Sequence, residues 1–115
     1  MRTSKLLSGF AFLVIAATSS LAMAEDGSIK ITSPSEGAKL DAMVQNKMAY
    51  EVDVGSKGDH IHVYVDNKEQ AVLREKKGSY TFETMSSGPH TLCIKVVNRG
   101  HTPIGLEKCV KVTVD

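Results

Sequence analysis

The stretch Gly58-Asp59-His60-Ile61-His62-Val63-Tyr64-Val65-Asp66-Asn67 constrains the chain more than any other. Ile61, Val63 and Val65 alternate with His60, His62, Tyr64 and Asp66, and a period of two puts the two sets on opposite faces of a pleated strand. The aliphatic set is expected to face a core. The set that holds two histidines is expected to face solvent.

The rest of the mature chain repeats this pattern in shorter pieces. Ser28-Ile29-Lys30-Ile31-Thr32 alternates and stops at Ser33-Pro34-Ser35-Glu36-Gly37, where proline and glycine break a ladder. Ala38 to Val44 is weakly patterned. Met48, Tyr50, Val52 and Val54 alternate with polar residues up to Gly55-Ser56-Lys57-Gly58, and Asp66-Asn67-Lys68 closes the central strand with residues that tolerate a left-handed turn. Ala71-Val72-Leu73 is expected as an edge strand. After an Arg74 to Gly78 turn, Tyr80, Phe82 and Met85 mark another strand, broken at Ser86-Ser87-Gly88-Pro89.

Two longer strands follow, His90 to Asn98 and a last one running to Val114, separated by Arg99-Gly100-His101-Thr102-Pro103. Setting Cys93 opposite Cys109 also sets Lys95 against Glu107 and Leu92 against Val110, which supports a hairpin with its sulfurs on the outer face. Lys108 breaks the apolar parity, so a bulge is expected near it. No window has a 3.6-residue apolar period with caps, so helix does not compete. Roughly six or seven short strands with turns about every ten residues predict an all-β antiparallel sandwich.

Residues 1–24 have the marks of a secretory signal peptide. Met1-Arg2-Thr3-Ser4-Lys5 is basic, Leu6 to Ala17 is mostly apolar, and Ala22-Met23-Ala24 is a small-x-small cleavage site. The apolar run of about 12 residues is shorter than the roughly 20 that span a bilayer, so a soluble exported protein, periplasmic or secreted, is expected. Residues 25–115 are then one small domain. Of 14 Lys and Arg, two lie in the leader, leaving 12 against 13 acidic residues. A mature charge near −1 offers no basic field for nucleic acid or an anionic membrane surface. An exported chain meets an oxidising compartment, and its two cysteines, Cys93 and Cys109, allow one intramolecular disulfide.

Ile31-Thr32-Ser33-Pro34-Ser35-Glu36-Gly37-Ala38, His62-Val63-Tyr64-Val65-Asp66-Asn67 and Ser87-Gly88-Pro89-His90-Thr91-Leu92 resemble the opening, middle and late strands of bacterial immunoglobulin-like domains. The chain is also similar to a group of exported bacterial domains with a His-x-His strand, a Gly-x-His-Thr-Leu corner and a late Asn-x-x-His-x-Pro. Here these are His60 to His62, Gly88 to Leu92 and Asn98 to Pro103. The resemblance implies an immunoglobulin-like, fibronectin III-like sandwich and carries no activity with it.

In that topology the central strand lies antiparallel to the strand starting at His90. His60 and His62 then approach the turn with His101, while His90 falls near Asp66 and Asn67, ~25 Å away at ~3.3 Å per residue. Residues i and i+2 on a strand project from one face about 7 Å apart, close enough for two imidazoles to reach one ion. His60, His62 and His101 are therefore candidate ligands for copper, zinc or nickel, copper and zinc first, with Asp59 placed either to supply a carboxylate or to orient an imidazole. The competing reading makes the histidines plain polar positions of an exposed strand face. Met48 and Met85 fall on core parity, where methionine fills gaps.

Catalysis is not expected. The cysteines are committed to each other, no Gly-x-Ser-x-Gly or glycine-rich phosphate loop occurs, and Asp59 and Asp66 stand far apart on one strand. The expectation is an exported non-catalytic binding module. It either docks a protein partner of the cell envelope through a sheet face or the edge strand at Ala71 to Leu73, or binds copper or zinc through its histidines.

Overall fold

The computed structural model describes residues 26–115. The expected signal peptide, 1–24, lies outside the described residues. Eight strands follow in order: β1 (Ser28–Ser33), β2 (Lys39–Leu40), β3 (Lys47–Asp53), β4 (His60–Val65), β5 (Lys68–Leu73), β6 (Lys77–Thr81), β7 (Gly88–Val97) and β8 (Pro103–Val114). They form two sheets, a three-stranded β1-β3-β6 and a five-stranded β2-β8-β7-β4-β5. Every pairing is antiparallel except that of β2, a two-residue strand that runs parallel to the end of β8. No helix among the described residues is long and apolar enough to cross a membrane.

Alternation builds the core between the sheets. Met48, Tyr50 and Val52 of β3 are buried while Lys47, Glu51 and Asp53 are exposed. They meet Ile61 and Val63 of β4, Leu92, Ile94 and Val96 of β7, and Val110 and Val112 of β8, with Phe82 beside them. With no tryptophan in the chain, the largest side chains here are Tyr50 and Phe82. The Phe82 ring meets Tyr80 edge-on with centroids 5.0 Å apart, a favoured aromatic geometry. Tyr50 is buried except at its hydroxyl, which donates to the Glu75 carbonyl at 3.1 Å.

The β7–β8 hairpin has the register its sequence implies: Cys93 opposite Cys109, Lys95 opposite Glu107, Leu92 opposite Val110. The two cysteines are bonded across it. The expected bulge lies beside Lys108, on the side toward Pro103. Lys108 stays in register opposite Ile94, and the ladder slips between Lys95 and Val97, whose partners are Glu107 and Pro103. Gly105 takes up that slack with φ 95°, a left-handed conformation that glycine adopts without steric cost. Lys108 can keep core parity because β8 has no neighbour on its far side until β2 joins at Thr113, so its long chain reaches solvent.

The two histidines of β4 depart from expectation. His60 and His62 were expected in solvent, and they are 1% and 3% exposed. Period two decides which face a side chain occupies, not what covers that face. β4 sits between β7 and β5, and the turn between β7 and β8 folds back over its first half, so both faces of β4 are covered there.

Candidate metal centre

One strand and a turn bring three imidazoles together. His60 and His62, alternate residues of β4, point from the outer face of the five-stranded sheet, and His101 reaches them from the β7–β8 turn. His60 Nε2 lies 3.2 Å from His62 Nε2 and 3.2 Å from His101 Nδ1, and the last two are 3.1 Å apart. The rings are tilted rather than stacked, with centroids 4.6 to 5.2 Å apart. These three residues form the one His, Cys, Asp and Glu group found close enough to hold an ion among the described residues.

Two carboxylates stand behind the triangle. His60 Nδ1 is 2.9 Å from Asp59 Oδ2, and His62 Nδ1 is 3.2 Å from Glu69 Oε1. An ionised carboxylate only accepts, so each Nδ1 must carry the proton, which leaves a bare lone pair on each Nε2. Those lone pairs face each other at contact distance. His101 Nδ1 can carry one proton at most and cannot bridge both, so neutral imidazoles leave the centre of the triangle short of positive charge. Burial holds His62 below the ordinary histidine pKa, outweighing Glu69, and the other two rings push the same way. A neutral ring with its lone pair aimed inward is the form that binds a metal.

The sequence shows how each part is positioned. Gly58 precedes the pair in a spot where a Cβ would meet the Val54 carbonyl at 2.3 Å and Val96 Cγ1 at 2.5 Å, so only glycine lets the chain enter β4 this close to β7. Asp59 then donates its N–H to the Val97 carbonyl at 2.8 Å. Its carboxyl is held below the usual carboxylate range, first by the hydrogen bond from His60 and then by the charges of Arg99 and Arg74.

Glu69 reaches the site through a bulge. Ile61 to Val63 pair with Leu73 to Ala71 in step, but Tyr64 pairs with Glu69 and not with Gln70. The extra residue flips parity, so Glu69 shares the outer face with His62 and Tyr64. Without it Glu69 would lie opposite Val65, on core parity.

The turn is held by Asn98. Its side-chain oxygen accepts from the N–H of Gly100 at 2.9 Å and of Thr102 at 3.0 Å, and its carbonyl accepts from His101 N–H at 2.9 Å. His101 pays with φ 68°, a left-handed conformation that glycine takes more easily. The Asn-x-x-His-x-Pro motif is thus the framework of the turn that delivers His101.

His90 is elsewhere, as topology required. Its Nδ1 lies 2.6 Å from Asp66 Oδ2 and its Nε2 is 2.7 Å from the Ser86 carbonyl, at the far end of β4. Met48 is buried, Met85 packs on the core, and Met43 is exposed. Asp59 occupies the orienting position its sequence place indicated. Glu69 was not identified from the sequence, and Asn98 stood out only as the first residue of a motif. The bulge hid the first, and only the folded turn shows the role of the second.

The fold is shared with known structures. The chain is similar to the fibronectin(III)-like modules of Clostridium thermocellum CbhA, with TM-score 0.62 and 18% identity over 76% of this chain and 95% of that one. An engineered protein aligns at TM-score 0.54 and 14% identity, covering 90% of this chain and 21% of its own. A Jonesia denitrificans lytic polysaccharide monooxygenase aligns at TM-score 0.51 and 11% identity, over 73% of this chain and 61% of that one. No protein-family model matches and no curated protein does, so the likeness to a His-x-His group rests on its motifs alone. At these identities the structural likenesses speak for the architecture: the chain is a fibronectin III-like all-β sandwich with one disulfide.

Proposed function

We propose that this protein is an exported, non-catalytic binding module that holds one copper or zinc ion through His60, His62 and His101. The observation that carries the reading is the triangle of imidazole nitrogens with edges of 3.1 to 3.2 Å. Ligand atoms at the corners of a tetrahedron with metal–nitrogen bonds of ~2.0 Å are about 3.3 Å apart, so one ion suits all three nitrogens with little movement. Asp59 and Glu69 complete two carboxylate–histidine pairs of the sort that fix the tautomer and raise the basicity of a ligand. Burial of His60 and His62 argues against the plain-surface reading, since solvent-exposed strand positions have no reason to be roofed by a strained turn.

Imidazole nitrogen suits both metals, and affinity for divalent ions rises to copper and falls at zinc, so Cu(II) is the tighter of the two. The disulfide between Cys93 and Cys109 suits an oxidising compartment such as the periplasm or the exterior. Calorimetric titration of the exported protein with Cu(II) and with Zn(II) at neutral pH tests the reading. One equivalent should bind at micromolar affinity or tighter, and the His60→Ala, His62→Ala double variant should bind none while keeping its far-UV spectrum. Failure of the native protein to bind either ion ends the metal reading.

A protein partner at the free edge remains the second reading. β5 closes the five-stranded sheet, and Val72 on it is 41% exposed. A strand added there would lie beside Glu69, so partner binding would be felt at the histidines.

A further inference from the structure

We infer that the ion held by His60, His62 and His101 keeps a fourth coordination position for a ligand from outside the protein, and that the ion leaves to an incoming donor through that position. The inference rests on the metal reading above. Three observations carry it.

The first is the count of ligands. No fourth His, Cys, Asp or Glu atom joins the triangle among the described residues. The nearest carboxylates are engaged behind it, Asp59 on His60 Nδ1 and Glu69 on His62 Nδ1, and so face away from the ion. Sites built to keep their metal close with four protein ligands, whereas sites built to exchange at the metal offer three and leave one place for water or a small ligand.

The second is the size of the triangle. A flat three-coordinate ion with bonds of ~2.0 Å needs edges near 3.5 Å, and edges of 3.1 to 3.2 Å put it about 0.8 Å out of the plane. That is a tetrahedron with one corner free. The ion is pyramidal, and its uncovered side takes the fourth ligand.

The third is the asymmetry of the three ligands. His60 and His62 are buried on a strand paired on both sides, while His101 is exposed on a five-residue turn. The route in and out therefore runs past His101. Arg74 and Arg99, 65% and 94% exposed, flank Asp59 on the rim and favour an anionic newcomer. The depression of about 310 Å³ lined by Lys39, Leu40, Asp41 and Asp115 lies at the other end of β8, away from the histidines. Geometry of this kind fits delivery of the ion to an acceptor that presents imidazole or thiolate donors.

The probe is Co(II), whose visible bands report coordination. Purified protein loaded with one equivalent of Co(II) is titrated with azide, and loss of the ion to a coloured chelator is followed at increasing chelator concentration. The bands should shift saturably with azide, and the transfer rate should rise in proportion to the chelator. Bands that ignore azide overturn the open position. A rate independent of chelator, set by spontaneous dissociation, overturns the exit route. Absence of Co(II) bands altogether overturns the metal reading beneath both. His101→Ala, which removes the exposed ligand only, should still bind Co(II) weakly and give it up faster, whereas His60→Ala should not bind.

Discussion

At the scale of single residues, Glu69 separates the site from the fold. Its carboxylate touches Nδ1 of His62, the nitrogen turned away from the triangle, and is half exposed, so Glu69→Gln removes negative charge and leaves the packing alone. Loss of such an orienting partner costs about 10- to 100-fold in metal affinity. Competition against a chelator of known affinity should show that loss with an unchanged melting temperature of the apo protein. His101 gives the complementary case. A non-glycine residue at φ 68° costs roughly 1 kcal/mol, which His101→Gly recovers while adding freedom to the unfolded chain. The two effects oppose each other. Apo stability should stay within about 1 kcal/mol of native in urea while metal affinity collapses. A turn that holds histidine where glycine fits as well points to a use for the side chain.

At the scale of strands, the far end of β4 carries a clamp with its own pH dependence. Asp66, in the turn after β4, accepts Thr91 N–H on one oxygen and meets His90 Nδ1 with the other, while His90 Nε2 faces the Ser86 carbonyl. Both ring nitrogens face acceptors, so the imidazolium is the form that satisfies them. The hydrogen bond to Asp66, and then that to Ser86, raise the His90 pKa above the ordinary histidine value. Burial pushes the Asp66 carboxyl up, but Thr91 N–H, His90 and the charge of Lys68 outweigh it and leave it lowered. A raised histidine stabilises the fold below its unfolded pKa of about 6.5 and loses that contribution as pH rises through the folded value. A lowered carboxyl contributes above about 3.9 and loses its share as pH falls. Urea unfolding from pH 5 to 9 should therefore show a loss of stability above neutrality that His90→Gln abolishes.

Most strands and the hairpin register were legible in the sequence, since alternation and the Cys93–Cys109 pairing each fix parity independently. The two-residue β2 has no alternation to read, and β6 starts at Lys77 and ends at Thr81, short of Phe82 and Met85. The carboxylate behind His62 was not legible, because one extra residue at Gln70 reverses parity for Glu69 and nothing in the local pattern marks it. Burial of the histidines was hidden for a different reason. It depends on a turn 39 residues away from His62, folded by Asn98 against its own backbone.

At the scale of the whole molecule, the disulfide and an ion bound at the proposed site would brace different parts of a small domain. Closing a loop across the 16-residue separation of Cys93 and Cys109 contributes roughly 3 kcal/mol, mainly by restricting the unfolded chain. A bound ion would act on the folded state, because the three histidines come from β4 and from the β7–β8 turn and are not together in the unfolded chain. Free ion at 100 times its dissociation constant then adds about 2.7 kcal/mol. For a domain this size 1 kcal/mol moves the melting temperature by about 4 to 8 °C, so saturation should raise it by roughly 10 to 20 °C. Scanning calorimetry with and without Zn(II), followed by chelator, should show that rise and its reversal. The same rise should survive in the Cys93→Ala, Cys109→Ala variant at a lower starting temperature, since the disulfide joins β7 to β8 beside Tyr64 and contributes no ligand. A rise that vanishes with the disulfide would mean that the cross-link, and not the strand pairing of β4 with β7, holds the three histidines in place.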